Sequence, residues 1–169
     1  MTRPPNPVVI NGWTLFAHPL FLDQVDRLAK QVGALKRKDP DRYSQHRPTK
    51  RLAAIVRFAF EIIPTDPTRP EYRQGHTLRQ SHAHWCRAKF FQQYRLFFRF
   101  HAASRIIVYA WVNDEHTRRA YDSVDDAYRV FRKMLESGQP PDDWLALVAE
   151  ARAHAQRMGE LARRTTEAE

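Results

Sequence analysis

Hydrophobic positions along this chain recur with a period of either two or about 3.6, and the changes of period mark its elements. Val8-Val9-Ile10 and Trp13 to Ala17 are short apolar runs on either side of Asn11-Gly12, a tight-turn signal, so 13–17 reads as a short strand after a turn. Pro19 suits a first helical position, and Phe21, Val25, Leu28, Ala29, Val32 and Leu35 then recur at helical spacing to about Lys38. Lys36-Arg37-Lys38 sits where a helix C-terminus favours positive charge. Asp39-Pro40 repeats the cap-then-proline start. A second helical region runs toward Ile63 on the stripe Leu52, Ile55, Val56, Ala59 and Ile63, with Pro48 breaking or kinking its first turns. A turn-rich connection follows, then a polar stretch over 72–82 that reads as loop with a possible edge strand. Beyond the central strands, Ser123 with Asp126 three residues on predicts a helix that buries Ala127, Phe131, Met134 and Leu135 and stops at Gly138. One last helix is predicted from near Pro141 to about Arg163, on the stripe Trp144, Leu147, Val148, Ala151, Ala155, Met158 and Leu161.

Residues 84–114 are the centre of the pattern and read as three consecutive strands rich in β-branched and aromatic residues. Alternation puts Arg87 and Lys89 on one face and Cys86, Ala88 and Phe90 on the other. In the next strand Arg95, Phe97, Arg99 and His101 share a face, opposite Tyr94, Leu96, Phe98 and Phe100. One face therefore carries two adjacent rows of cations, and the other is apolar and calls for helices.

Charge sharpens this reading. The chain has 28 Lys and Arg against 19 Asp and Glu, a formal net charge of +9, so a polyanion is the leading partner class. From Tyr72 to Asn113 there is no acidic residue, whereas Arg73, Arg79, Arg87, Lys89, Arg95, Arg99 and Arg105 all fall there. Cations without carboxylate partners are a phosphate-binding arrangement; the alternative is a solvated face whose long side chains cover apolar neighbours. Cys86 is the only cysteine, which excludes an intramolecular disulfide. The longest clean apolar run, Ile106 to Val112, is far short of a membrane span, and the Pro-rich N-terminus leaves no room for a secretory h-region. A soluble cytoplasmic protein of one domain, residues 1–169, is expected, with no membrane partner.

Several fragments, in order, resemble the YhaV-type toxins, a branch of the RelE superfamily of toxin–antitoxin ribonucleases. They are Asn11-Gly12-Trp13, Ala17-His18-Pro19, Lys38-Asp39-Pro40, Tyr94-Arg95-Leu96-Phe97-Phe98-Arg99 and Trp111-Val112-Asn113-Asp114-Glu115, followed by Tyr121, Asp126-Ala127-Tyr128, Phe131, Gly138, Pro140-Pro141 and Asp143-Trp144. The resemblance implies an α/β (α+β) RelE-like fold: two N-terminal helices on one face of a mostly antiparallel sheet, RNA on the other, and additional C-terminal helices over about 141–165. It implies the toxin of a type II toxin–antitoxin system, an endoribonuclease (mRNA interferase) acting on mRNA, often at the ribosome. Cleavage would proceed by metal-independent attack of the 2'-hydroxyl, with no cofactor. The implied partners are a PrlF-type, swapped-hairpin antitoxin and, only through the antitoxin complex, operator DNA. A non-catalytic protein that holds RNA, ribosome or DNA on the same basic face is the alternative.

Residue by residue, the resemblance gives catalytic roles to Arg95, Lys89 and Tyr121 and matches Arg87 to the superfamily's basic strand pair. Arg99 fits the YhaV pattern. Where other RelE toxins place a further basic residue, this chain has Asp114-Glu115, so Glu115 is a candidate base that could instead orient Arg95 or Arg118. Arg87, Arg99, Arg118 and His101 are the candidate RNA-binding set. Arg95 on an open polar face is expected to tolerate Ala without harm to the fold. His82, His84 and Cys86 alternate as potential ligands, but their spacing is atypical and a fourth ligand is not evident, so no metal site is assigned. His84 and His101 could serve in acid–base chemistry, and Trp85 and Trp111 could stack on bases, although aromatic residues in mid-strand are ordinarily core. The C-terminal stripe either packs internally or docks the antitoxin.

Overall fold

A computed structural model describes residues 6–75, 77–117 and 126–167; Arg118, Tyr121 and Ser123 lie outside this set. Strands β1 (Val8–Ile10) and β2 (Trp13–Ala17) form a hairpin, β2 being the predicted strand and β1 one the sequence reading did not assign, with Asn11 at φ 52° and Gly12 at φ 80° supplying the left-handed turn. A Cβ at Gly12 would sit 3.2 Å from the Arg105 guanidinium, which packs over the Trp13 ring. Strands β3 (Cys86–Phe90), β4 (Tyr94–His101) and β5 (Ile106–Val112) complete one sheet in the order β1-β2-β5-β4-β3. Only the β2–β5 pairing is parallel among the described strands.

Helix α1 (Pro19–Lys38) ends at Asp39, whose N–H donates to Leu35 O, so Asp39 closes this helix instead of opening the next. Helix α2 (Arg47–Arg57) begins with Pro48 in its first turn, where a missing N–H costs nothing, and continues through a π turn at Phe58–Ile62. The first core lies between these helices and the sheet face carrying Leu96, Phe98, Ile107 and Tyr109, with Phe21, Leu22, Val25, Leu28 and Ile55 from the helices.

The other sheet face is also covered, and here the expectation of an open cationic surface is corrected. Helices α3 (Ala127–Glu136) and α4 (Trp144–Arg152) pack Phe131, Leu135, Leu147, Val148 and Ala151 against Phe16, Phe97, Val108, Ala110 and Trp111. Face alternation in β4 is as expected, but Phe97 stands between Arg95 and Arg99, and Trp111 pairs with it across β5. A register shift at Phe97/Phe98 leaves Ala110 unpaired, so Ala110 and Trp111 both turn to this second layer. An apolar wall of that size would cost several kcal/mol if left wet.

Helix α3 is capped by Asp126, which accepts from Tyr128 N. The last predicted helix is two. After α4 the chain turns at Ala153 and resumes as α5 (Ala155–Glu167), whose Met158 and Leu161 belong to the first core. A straight helix cannot bury Leu147 on one side of the sheet and Met158 on the other. The break carries the stripe around the sheet, and most of it packs internally. Arg157 of α5 ties back to Asp23 and Asp26 of α1 at 2.8 and 2.9 Å. No helix of the described residues is long and apolar enough to cross a membrane.

His18 joins these layers. Its Nδ1 accepts from Leu20 N as the cap of α1, so the neutral ring carries its proton on Nε2, 3.0 Å from Glu150 Oε2 of α4. Burial pushes the His18 pKa below its ordinary 6.5, outweighing the upward pull of Glu150. A depressed folded-state value means that this stability is present above pH 6.5 and is lost as the pH falls through the lower folded value. Protonation at Nδ1 also removes the cap. Urea unfolding at pH 7.5 and 5.5 is expected to show a larger acid-side loss for the wild type than for His18→Asn, which keeps a capping oxygen but does not titrate. Equal losses would remove His18 as the titrating group.

Candidate active site

Two buried guanidinium groups converge on one phenol. Arg87 of β3 and Arg95 of β4 are 8% and 6% exposed, and their Nε atoms donate to Tyr128 Oη of α3 at 2.8 and 3.0 Å. Arg87 Nη1 donates to the carbonyls of Glu71 and Arg73 at 2.7 and 2.8 Å. Arg95 Nη1 donates to Gln92 O and Tyr94 O at 2.7 and 2.9 Å, bracing the β3–β4 turn, in which Phe91 and Gln92 both have positive φ. Among the described residues no carboxylate pairs with either arginine, and neither Nη2 has a partner. Two like charges share one phenolic acceptor, an arrangement that a phosphate oxygen complements. Arg95 is thus a buried structural brace as well as a cation, which corrects the expectation that Arg95→Ala would spare the fold.

Lys89 faces Arg95 across the β3–β4 pairing and is exposed, and its ammonium has no hydrogen-bond or ion-pair partner among the described residues. Asn113, just past β5, fixes the same end of the sheet: its Oδ1 accepts from Arg95 N at 2.6 Å and its Nδ2 donates to Gln93 O at 2.9 Å. Lys89, Arg95, Arg87 and Tyr128 therefore form one continuous basic patch from solvent into the second layer.

The other predicted residues are placed elsewhere. Arg99 is held at the opposite end of β4 between the Trp85 and Trp144 rings, at 5.6 and 5.3 Å, and donates to Asp142 O at 2.6 Å. Burial pulls its pKa down, with Asp142 and Asp143 opposing that shift. His101 is exposed and stacks on Trp144 at 5.8 Å. Glu115 faces Arg51 of α2 at 3.4 Å, in a cleft of about 350 Å³ lined also by Gln24, Arg27 and His116, and not the cationic strand rows. Trp85 and Trp111 are core residues. Cys86 lies in the first core, its thiol pushed up to about 11 by burial, so it does not share a site with His82 and His84. Arg118 and Tyr121 lie outside the described residues.

The geometry can be set beside known proteins. Residues 15–152 match the model of the YhaV toxin family, described as a toxin with endonuclease activity of a toxin–antitoxin system. The chain belongs to the YhaV toxin family. Toxin YhaV of Escherichia coli O6:H1 (strain CFT073) is 43% identical over 146 residues, 85% of this chain and 95% of that protein. Ribonuclease toxin YhaV of Escherichia coli K12 is 42% identical over the same shares, as is Toxin YhaV of Escherichia coli O157:H7. No solved structure matches the chain. The stretch matched to the YhaV family includes Arg87, Lys89, Arg95 and Tyr128 but leaves out β1 and α5. Tyr128 was not legible as a site residue: its only sequence signal was its place in Asp126-Ala127-Tyr128, and helical spacing alone reads it as core.

Proposed function

We propose that this chain is the ribonuclease toxin of a type II toxin–antitoxin pair and that it holds the scissile RNA phosphate at the Arg87–Tyr128–Arg95 cluster, with Lys89 at its outer rim. Membership of a family with endonuclease activity supports the reaction class, and the name of the K12 relative supports RNA as substrate. The observation that carries the location is the buried pair of guanidinium groups sharing one neutral oxygen. In a RelE-like reading, α1 and α2 back the sheet, and RNA enters at the Lys89–Asn113 end and not across the whole covered face.

The reaction is attack of the 2'-hydroxyl oxygen on the adjacent phosphorus with departure of the 5'-oxygen. Arg95 and Lys89 stabilise the extra negative charge on the crowded phosphate, the role for which fixed cations in a dry site are most effective. A base takes the 2'-hydroxyl proton, and an acid delivers one to the leaving 5'-oxygen. Glu115, two residues past Asn113 at the same sheet end, is the base in this reading once its side chain turns from Arg51 toward Lys89, and Tyr121 is the acid. A PrlF-type antitoxin opposes the basic patch by charge, and operator DNA is reached only through that complex. The ribosome is the setting in which mRNA is presented.

The test is product chemistry. In excess EDTA, cleavage is expected to persist and to leave a 2',3'-cyclic or 3'-phosphate upstream and a 5'-hydroxyl downstream. A 5'-phosphate product, or loss of activity on chelation with recovery on adding a divalent ion, would overturn the metal-free route. Binding of RNA without any new ends would identify a non-catalytic binder.

A further inference from the structure

At the far end of the second layer, three side chains meet that the proposed reaction does not use. Asp142 lies in the connection between α3 and α4, and its Oδ1 is 3.0 Å from His82 Nδ1, 2.8 Å from His84 Nε2 and 2.8 Å from Trp85 Nε1. The two imidazole nitrogens and the carboxylate oxygen all fall within 4.8 Å of one another. Asp142 is 57 to 60 residues away in sequence from these partners, so the cluster is made by the fold and not by local spacing.

Asp142 and His82 are also held by contacts outside the cluster. Trp85 is fully buried, packs edge-on against Phe131 at 5.0 Å, and offers its N–H as a fixed post for the carboxylate. The Asp142 carbonyl is tied to Arg99, and its neighbour Asp143 caps α4 by accepting from Ala146 N. The carbonyl of His82 is held by Gln74 Nε2 and by Trp85 N at 2.9 and 3.1 Å. His84 is the exposed member, so the cluster opens to solvent on that side.

We propose that His82, His84 and Asp142 form a binding site for one divalent transition-metal ion, zinc foremost. Two imidazoles and one carboxylate are a common zinc ligand set, with solvent completing the coordination. Bonds of about 2.0 to 2.1 Å to a tetrahedral ion place donor atoms roughly 3.3 Å apart. The two spacings to Asp142 Oδ1 therefore expand slightly about the ion, and the two imidazole nitrogens, within 4.8 Å of one another, adjust to the same separation. A ligating imidazole presents a lone pair, so the ring proton sits on the other nitrogen, Nε2 in His82 and Nδ1 in His84. The Trp85 N–H then holds the ligating carboxylate, as hydrogen-bonded partners of metal ligands do. The Arg99 cation beside Asp142 opposes a second positive charge nearby and so weakens the expected affinity.

This site is separate from the proposed phosphate cluster. His84 precedes β3, and Arg87, the cluster member next in sequence, is three residues further on, roughly 10 Å away at about 3.3 Å per residue. The ion would clamp the 66–85 segment, and with it the β3 end of the sheet, to the α3–α4 connection. The proposal does not depend on how RNA is cut.

Zinc chloride is titrated by calorimetry into the untagged, chelator-stripped full chain in excess magnesium. One zinc per chain is expected, with His84→Ala and Asp142→Asn each weakening binding by at least tenfold, and His46→Ala, a surface histidine paired with Asp39, unchanged. Zinc at about a hundredfold over its dissociation constant is expected to raise the thermal midpoint by roughly 5 to 10 °C, and not in His84→Ala. His84 is exposed, so its loss tests the site without threatening the core. No saturable binding, or binding unchanged in both variants with wild-type circular dichroism, overturns the proposal. Cleavage lost on chelation and restored by zinc would instead overturn the metal-free reaction and leave this site standing.

Discussion

Tyr128→Phe is expected to reduce RNA cleavage by about 100-fold while every cation of the site remains. The substitution removes one oxygen and keeps the ring, which packs edge-on against Phe97 at 5.6 Å. That oxygen is the shared acceptor of Arg87 Nε and Arg95 Nε. Without it the two guanidinium groups are left to repel, and a displacement of about 1 Å at a phosphate-binding cation costs on the order of 100-fold in rate. Two buried charged donors that lose an acceptor also cost about 2 to 4 kcal/mol of stability. Urea unfolding and single-turnover cleavage, measured well below the unfolding midpoint, separate the two effects. Arg95→Lys is the companion variant: it keeps the charge but cannot reach Tyr128, Gln92 and Tyr94 together. It is expected to fall between wild type and Tyr128→Phe in stability and near Tyr128→Phe in rate. Wild-type cleavage by a folded Tyr128→Phe protein would show that the arginine pair is a structural brace and that the phosphate is held elsewhere.

The strands and α1 were legible because their signals are local: Asn11-Gly12 between apolar runs, Pro19 at a helix start, and strict alternation through Tyr94 to His101. Alternation states which side chains share a face, but it does not state whether that face is open. Alternation put Arg87, Arg95 and Arg99 on one face, yet their depth, and the separation of Arg99 from the other two, depended on the helices that cover it, whose apolar stripes need a wall. The clue lay in the same row, since Phe97 between two arginines and Trp111 opposite it make that wall apolar. The break at Ala153 carries no Gly or Pro signal; it follows from the need to bury Leu147 and Met158 on opposite sides of one sheet. Asp142 read as part of a helix start after Pro141, and only the folded chain brings it to His82 and His84.

Phe97→Ala tests whether the second helical layer only covers the sheet or also builds the site. The Phe97 ring is fully buried and stacks on Phe131 at 4.3 Å and on Trp111 at 5.9 Å, so it is the main contact between β4 and α3. Truncation is expected to cost about 3 to 5 kcal/mol, through lost burial and a cavity that the stacked rings cannot fill. Against a total stability of about 5 to 15 kcal/mol that is a large share, and it lowers the thermal midpoint by roughly 6 to 20 °C at about 2 to 4 °C per kcal/mol. Phe97→Leu, which keeps most of the volume and forfeits the ring stacking, is expected to lose markedly less. Hydrogen exchange should locate the damage: amides of α3 open faster in Phe97→Ala, whereas those of α1, which belong to the other core, keep their protection. Tyr128 lies one turn before Phe131 on the same helix, so loosening that contact moves the acceptor on which Arg87 and Arg95 depend. Cleavage per folded molecule is therefore expected to fall with α3 protection, and to fall less in Phe97→Leu. Faster exchange in α3 with unchanged cleavage would mean that the helix is only a cover, and would detach Tyr128 from the chemistry.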